Sequence, residues 1–340
     1  MKKVSNPPNP WADGHVEWLG EPPEVELRVF EETARSILTK NQSPDVPFDY
    51  TVNPYRGCYH GCAYCYARPT HEYLDLGAGT DFERKIVAKV NAAELLRDRL
   101  YDPEWAREPI SFSGVTDCYQ PLEQSYELTR GCLEVCADLG NPVCIITKGA
   151  LVRRDIDLLA RIGESAPVRV FVSIPFADDE VGRAIEPHAT VVSQRFETLE
   201  ALSEAGITTG VAVAPIIPGL NDSAIPEILE RAAEAGAQFA FHVLLRLPGP
   251  VEEVFIDRLR DSFPDRADKV LSSLRQMRGG ELNSAEFGDR MSGDGPRWRI
   301  VESLFDTHCE KYGLSESERG SVEPLEGQGK LQPSLFDGDT

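Results

Sequence analysis

The sequence predicts an α/β fold: a partial (β/α)6 TIM-like barrel with an irregular N-terminal arm and a helical C-terminal extension. Two observations carry this. From residue 48 to about 263, short apolar runs rich in Val, Ile and Phe alternate with longer amphipathic segments, the signature of buried parallel strands and their crossover helices. Gly140, Gly163, Gly206 and Gly236 stand where four of the amphipathic segments stop, as left-handed helix ends require. Six strand–helix units can be counted, too few to close an eight-fold barrel. Their chemistry is expected at the C-terminal ends of the strands.

Residues 1–47, rich in Pro, Glu and Asn, read as the arm, with one short helix near "FEETARSIL". "FDYTVNPY" is the first strand, and "FERKIVAKVNAAELLRDRL" (82–100) has helical periodicity. "PISFSG" (109–114) is the second strand, followed by a helix over "EQSYELTRGCLEVCADLG". "PVCIITKG" (142–149), "VRVFVSIP" (168–175), "ITTGVAVAPIIPG" (207–219) and "AQFAFHVLLRLP" (237–248) are further strands. Each precedes a helical segment: "RRDIDLLARIG", "SQRFETLEALSEAG", "AIPEILERAAEAG" and "VEEVFIDRLRDSF". The core therefore spans 48–263. Residues 264–314 form the extension, and 315–340, acidic and Gly-rich, form a disordered tail.

With 41% apolar residues in 340, a sizeable core can be buried. No run of 18 apolar residues suggests a membrane span, and no apolar run follows the N-terminal lysines as in a secretory signal. A cytoplasmic protein is expected. The formal net charge of −21 argues against broad, nonspecific nucleic-acid binding. It leaves room for a local basic channel, and otherwise reads as a solubility feature. In a reducing compartment most of the eight cysteines stay thiols. Cys132, Cys136 and Cys144 lie in apolar patterns and read as core, and Cys309 as inert in a late helix.

"RGCYHGCAYCYARP" (56–69) places Cys58, Cys62 and Cys65 in one loop after the first strand. A zinc site would need a fourth ligand, from His60, His71 or a distant Cys. A thioredoxin-like pair would use Cys62 and Cys65 and leave Cys58 unexplained. An iron–sulfur cube normally takes four thiolates, so three would leave one iron open to a ligand. Gly57 and Gly61 let the backbone wrap closely around inorganic sulfide, and Tyr64 can shield the cluster or touch its ligand.

Cys-x3-Cys-x2-Cys with an aromatic before the third Cys, on the first loop of a (β/α)6 pattern, resembles the radical S-adenosylmethionine (radical SAM) superfamily. "SPDVPFDYTVNPYRGCYHGCAYCYARPTHEYL", "TDFERKIVAKVNAAELL", "TDCYQPLE", "EPHATVVSQR", "APIIPGLND" and "LLRLP" are similar to the bacterial members grouped with spore photoproduct lyase as DNA-repair-photolyase-like. The likeness runs from about residue 41 to 312. It implies that Cys58, Cys62 and Cys65 hold a [4Fe–4S] cluster whose open iron chelates SAM. It also implies an electron donor such as flavodoxin or ferredoxin, and a 5′-deoxyadenosyl radical that takes hydrogen from a substrate.

The resemblance assigns SAM contacts to the strand ends. Gly114, Thr116 and Asp117 after the second strand would face the SAM amino group, with an ordinary turn capped by Asp117 as the plain alternative. Lys148 would hold the SAM carboxylate, or be a solvated turn lysine. Ser173 stands where photoproduct-lyase relatives place a SAM-contacting serine. Arg246 would pair with a carboxylate or substrate phosphate, or form a buried ion pair with Glu186. Cys118 lies near the position of the photoproduct-lyase hydrogen donor, although Thr116 aligns closer, and Tyr119 is a radical-relay candidate. A buried small hydrophobe and a packed aromatic are their alternatives. "QPSLF", Gln332 to Phe336, resembles the peptide by which DNA-repair proteins bind the sliding clamp. The first substrate reading is damaged DNA or a nucleotide. The others are a peptide or small molecule, or a non-catalytic metal-binding repair accessory.

Overall fold

The computed structural model describes residues 26–316. Its strands are β1 (Arg28–Glu32), β2 (Leu38–Lys40), β3 (Tyr50–Val52), β4 (Tyr55–Arg56), β5 (Lys85–Lys89) and β6 (Ile110–Phe112). They continue with β7 (Val143–Thr147), β8 (Val168–Ser173), β9 (Thr208–Ile216), β10 (Phe239–Leu244) and β11 (Ser315–Glu316). Eight of them make one open sheet in the order β11-β10-β9-β8-β7-β6-β3-β2. From β3 to β10 the spatial order follows the chain and every neighbouring pair is parallel. β2 lies antiparallel on one edge and β11 parallel on the other. The result is a mixed α/β fold around a parallel sheet that does not close.

The strands divide their side chains between two apolar layers, as alternation along a strand requires. Ile145, Val170, Val172, Val211 and Val213 join the large core that includes the flanking helices. Cys144, Ile146, Phe171, Ala212, Phe241 and Val243 form a separate layer on the opposite face. The first layer holds the helices to the sheet. The second is apolar without being filled, and it floors a cavity.

Several local expectations are corrected. "FEETARSIL" contains no helix: β1 runs through Glu32, and β2 begins at Leu38. The helix expected over 82–100 is interrupted by β5, with a short helix Thr80–Arg84 before it and Ala92–Leu100 after it. Both differences have one cause. β5 pairs with β1 on one side and β4 on the other, forming a small second sheet, and local periodicity does not encode such distant pairing.

The helix expected over 123–140 is two, Glu123–Tyr126 and Leu128–Leu139, broken where Glu127 takes φ +50°. The buried Glu123 carboxylate accepts from the Thr129 and Arg130 N–H groups, so it caps the second helix from outside it. Gly140, Gly206 and Gly236 have positive φ as expected, whereas Gly163 ends its helix ahead of a right-handed Glu164. A helix the sequence reading missed, Asp179–Ile185, follows β8 and is capped by Asp178.

Beyond 264 the chain forms helices Pro264–Met277 and Gly295–Tyr312. β11 occupies the first residues expected to be tail. The rest of that tail, including Gln332–Phe336, lies outside the described residues. No helix among the described residues is long and apolar enough to cross a membrane.

Candidate active site

A cavity of about 640 Å³ opens at the C-terminal ends of the central strands. Ile146, Ala212, Ala214, Phe241 and Val243 form its apolar floor. Cys58, Cys62 and Cys65 all line it, with Cys58 and Cys62 buried and Cys65 half-buried. Burial pushes all three thiols above their ordinary pKa. For Cys58, neighbouring negative groups, Asp117 foremost, add to the rise. Thiols that are hard to ionise in an apolar setting become good ligands once a cation supplies the missing charge.

The loop carrying them is held from three directions. The Cys58 N–H donates to the Phe82 carbonyl at 3.0 Å, and the Ala63 N–H to the Ile185 carbonyl at 3.0 Å. Gln120 accepts from the Tyr59 N–H at 2.9 Å and donates to the Gly57 carbonyl at 3.1 Å. Arg68, with no exposed surface, donates to the carbonyls of Gly61, Cys62, Ala78 and Gly79, and to Glu83 at 2.5 Å. The Tyr59 ring packs against the Arg84 guanidinium, 5.0 Å from its centroid, and the stacked His188 imidazole at 4.9 Å, and Arg84 and His188 are themselves hydrogen-bonded at 3.0 Å. Arg68, Gln120, Arg84 and His188 carry no motif that singles them out in the sequence. These residues brace the cysteine loop. Their roles come from contacts with the folded loop, which a linear sequence does not display.

Gly57 and Gly61 take φ +78° and +66°. A β-carbon on Gly57 would meet His71 at 2.7 Å and the Phe82 carbonyl at 2.9 Å. Gly57→Ala is therefore expected to cost about 1–3 kcal/mol, read as a lower melting temperature together with weaker metal retention. An unchanged melting temperature would contradict this role for Gly57.

Asp117 lines the cavity, yet its carboxylate already has partners. It accepts from the Thr147 hydroxyl at 2.6 Å, the Lys148 N–H at 2.7 Å and the Tyr119 N–H at 2.9 Å, and lies 3.4 Å from His60 Nδ1. Burial alone would raise its pKa; the His60 charge and these hydrogen bonds outweigh that and hold it at about 2. Asp117 therefore links the loop to β7. Gly114 and Thr116 also line the cavity. The Gly114 carbonyl accepts from the Tyr66 hydroxyl at 2.7 Å, and the Thr116 hydroxyl donates to the Tyr55 carbonyl at 3.1 Å. Asn53, overlooked in the sequence, fixes this turn by accepting from the Val115 N–H at 2.8 Å.

Lys148 donates to the Ser173 hydroxyl at 2.7 Å, and Ser173 donates to the Ala214 carbonyl at 3.2 Å. The Lys148 ammonium also lies 3.8 Å from Glu186 and 5.7 Å from the Tyr64 ring centroid. Glu186 is fully buried, accepts from Tyr64 and pairs with Arg195. Burial opposes its charge, but Arg195 and Lys148 hold its pKa below the usual carboxylate range. This network fastens Tyr64, inside the cysteine motif, to the ends of β7 and β8. Arg195 occupies the place beside Glu186 that the sequence reading offered to Arg246. Arg246 instead contacts the Met291 sulfur at 3.4 Å and lies 5.6 Å from the Tyr66 ring centroid.

Neither candidate for radical transfer is among the residues that line the cavity. Cys118 is wholly buried in the main core, and Tyr119 donates to the buried Asp155 at 3.0 Å.

Three thiols on one braced loop thus face a single cavity at the open end of a parallel sheet. The chain belongs to the radical SAM enzyme superfamily, whose family model matches residues 52–232. It is 41% identical over 252 residues to an uncharacterized protein of Mycobacterium tuberculosis, covering 72% of this chain and 74% of that one. It is 26% identical over 226 residues to the radical SAM Nalpha-GlyT isomerase of Pseudomonas phage M6, covering 66% of this chain and 45% of the other. Among solved structures, spore photoproduct lyase complexed with dinucleoside spore photoproduct superposes with a TM-score of 0.62 at 15% identity, over 88% of this chain and 87% of that one. This likeness shows a shared fold.

Proposed function

We propose that the chain is a radical SAM enzyme acting on damaged DNA or a nucleotide, with Cys58, Cys62 and Cys65 holding a [4Fe–4S] cluster. The observation that carries this reading is the convergence of three buried thiols on one cavity at the strand ends, on a fold shared with spore photoproduct lyase.

A cluster held there would supply the electron that cleaves SAM to a 5′-deoxyadenosyl radical, which takes a hydrogen atom from the substrate. The chain's own groups bind and orient. Lys148, steadied by Ser173 and Glu186, presents an ammonium to the SAM carboxylate. The turn Gly114–Thr116, fixed by Asn53, presents backbone carbonyls to its amino group. Asp117 acts through His60 and Lys148, as a positioning residue. The apolar floor excludes water from the reacting carbon. We read the open sheet as a partial (β/α)6 barrel and place the enzyme in the cytoplasm, served by a flavodoxin- or ferredoxin-type donor. A sliding-clamp contact through Gln332–Phe336 belongs to the same reading.

The fold likeness and the dinucleoside held by the lyase favour a nucleic-acid substrate over a peptide. The test is anaerobic incubation of the loaded enzyme with SAM, reductant and deuterated DNA, irradiated or intact. Deuterium is expected in the 5′-deoxyadenosine produced. SAM cleavage with no deuterium transfer from any DNA would move the assignment to a peptide or small molecule.

A further inference from the structure

Over the whole chain, Asp and Glu outnumber Lys and Arg by 56 to 35. Among the residues lining the cavity the balance is reversed. Lys40, Lys148, Arg246 and Arg290 face it, with Asp117 as the one carboxylate, and Asp117 is engaged with His60, Thr147 and Lys148. Lys148 belongs to the inner end, beside Tyr64 and Ser173. Arg246 and Arg290 stand at the rim, where each guanidinium lies against an exposed ring: Arg246 is 5.6 Å from the centroid of Tyr66, and Arg290 is 4.6 Å from that of Phe287.

Arg290 is largely neutralised, its guanidinium clamped to Asp45 at 2.6 Å and 2.5 Å. Behind Arg246 stands a second cation. Arg278 spends its hydrogen bonds on the carbonyls of Leu245, Asp289 and Arg290. Burial and the Arg246 charge pull its pKa down to about 10, with the Asp289 carboxylate acting in the opposite direction. The two guanidiniums thus sit in each other's positive field. A positive rim inside an acidic shell focuses anions locally and repels polyanions elsewhere.

A carboxylate ligand would use the charge and leave the rings idle. A nucleotide uses both, because its base stacks on an aromatic face while its phosphate meets a guanidinium. We propose that the rim is a phosphate subsite for a nucleotide substrate, in which Arg246 binds the phosphate ester and Tyr66 offers the stacking face. The inference rests on the cavity's being the active site, and it adds which group of the substrate is recognised and by what.

The test is equilibrium binding to cluster-loaded, SAM-bound protein under anaerobic conditions. The probes are thymidylyl-thymidine and its uncharged methylphosphonate analogue, which keep the bases and differ in charge. The charged probe is expected to bind about tenfold tighter, with the gap closing as NaCl rises from about 50 to about 500 mM. Arg246→Gln should abolish the gap, and Arg246→Lys should restore part of it. Tyr66→Ala should weaken both probes alike. Iron content and thermal melting establish that each variant is folded.

Equal binding of the two probes, no binding of either, or a gap that survives Arg246→Gln would overturn the proposal. So would displacement of the charged probe by a succinylated peptide but not by inorganic phosphate. Binding is read without turnover. A chain that binds in the expected way yet leaves SAM intact therefore overturns the proposed reaction and not the subsite.

Discussion

Cys62→Ala is expected to strip the protein of iron and reduce SAM cleavage by more than about a hundredfold. Replacing mere outer-shell partners of a metal already costs about 10–100-fold in affinity or activity. Cys62 is buried on the cavity wall, and its thiol is held above its ordinary pKa by burial and by Glu186. The same loss is expected for Cys58→Ala and Cys65→Ala. Cys132→Ala is the informative contrast. Cys132 is buried like Cys62 but does not line the cavity. Its removal should cost about 1–2 kcal/mol of stability and leave iron content intact. Iron measured on freshly reconstituted variants, normalised to folded protein, separates the three loop cysteines from the rest. Full iron in Cys62→Ala would contradict the assignment.

Arg195→Met is expected to destabilise the fold by about 3–5 kcal/mol, because it leaves a buried carboxylate without its principal counter-charge. Arg195 and Glu186 are both essentially inaccessible, and Arg195 also donates to the Ser173 carbonyl at 3.0 Å. The ammonium of Lys148, 3.8 Å away, offsets only part of the loss. Replacing both partners, Arg195→Met with Glu186→Leu, should be less harmful than the single change.

The pH dependence has a definite sign. A carboxylate whose pKa is lowered on folding contributes stability above its unfolded pKa, and that contribution fades as pH falls through the folded value. The Glu186 pKa is lowered in the native protein. The deficit of Arg195→Met should therefore be largest near neutrality and shrink in acid. Urea denaturation at several pH values measures this, and a deficit that grows in acid would contradict the pairing.

The alternation of apolar runs made the six parallel strands legible, because strands buried on both faces leave little else for a sequence to show. The cysteine loop was legible because Cys58, Cys62 and Cys65 lie within eight consecutive residues. Features built from distant pairing were not. β5 reads as helix in isolation and becomes a strand through β1 and β4. The partner of Glu186 could not be chosen between arginines from the sequence, and the structure gives it to Arg195 on the helix Val192–Glu204. Cys118 and Tyr119 sit beside Asp117 in sequence, and only Asp117 lines the cavity. One residue along a tight turn is enough to reverse the direction of a side chain. The rim was legible only in part, through Arg246 as a partner for a carboxylate or phosphate. Arg246, Arg290 and Asp45 come from far-apart segments, and their positive field is the opposite of what the net charge suggests.

The most direct test of the central claim is elemental and sulfide analysis of the anaerobically purified, reconstituted protein, followed by reduction in the presence of SAM. The account predicts about four irons and about four inorganic sulfides per chain, with 5′-deoxyadenosine formed on reduction. One zinc per chain without sulfide, or a fully loaded cluster that leaves SAM uncleaved, would contradict it.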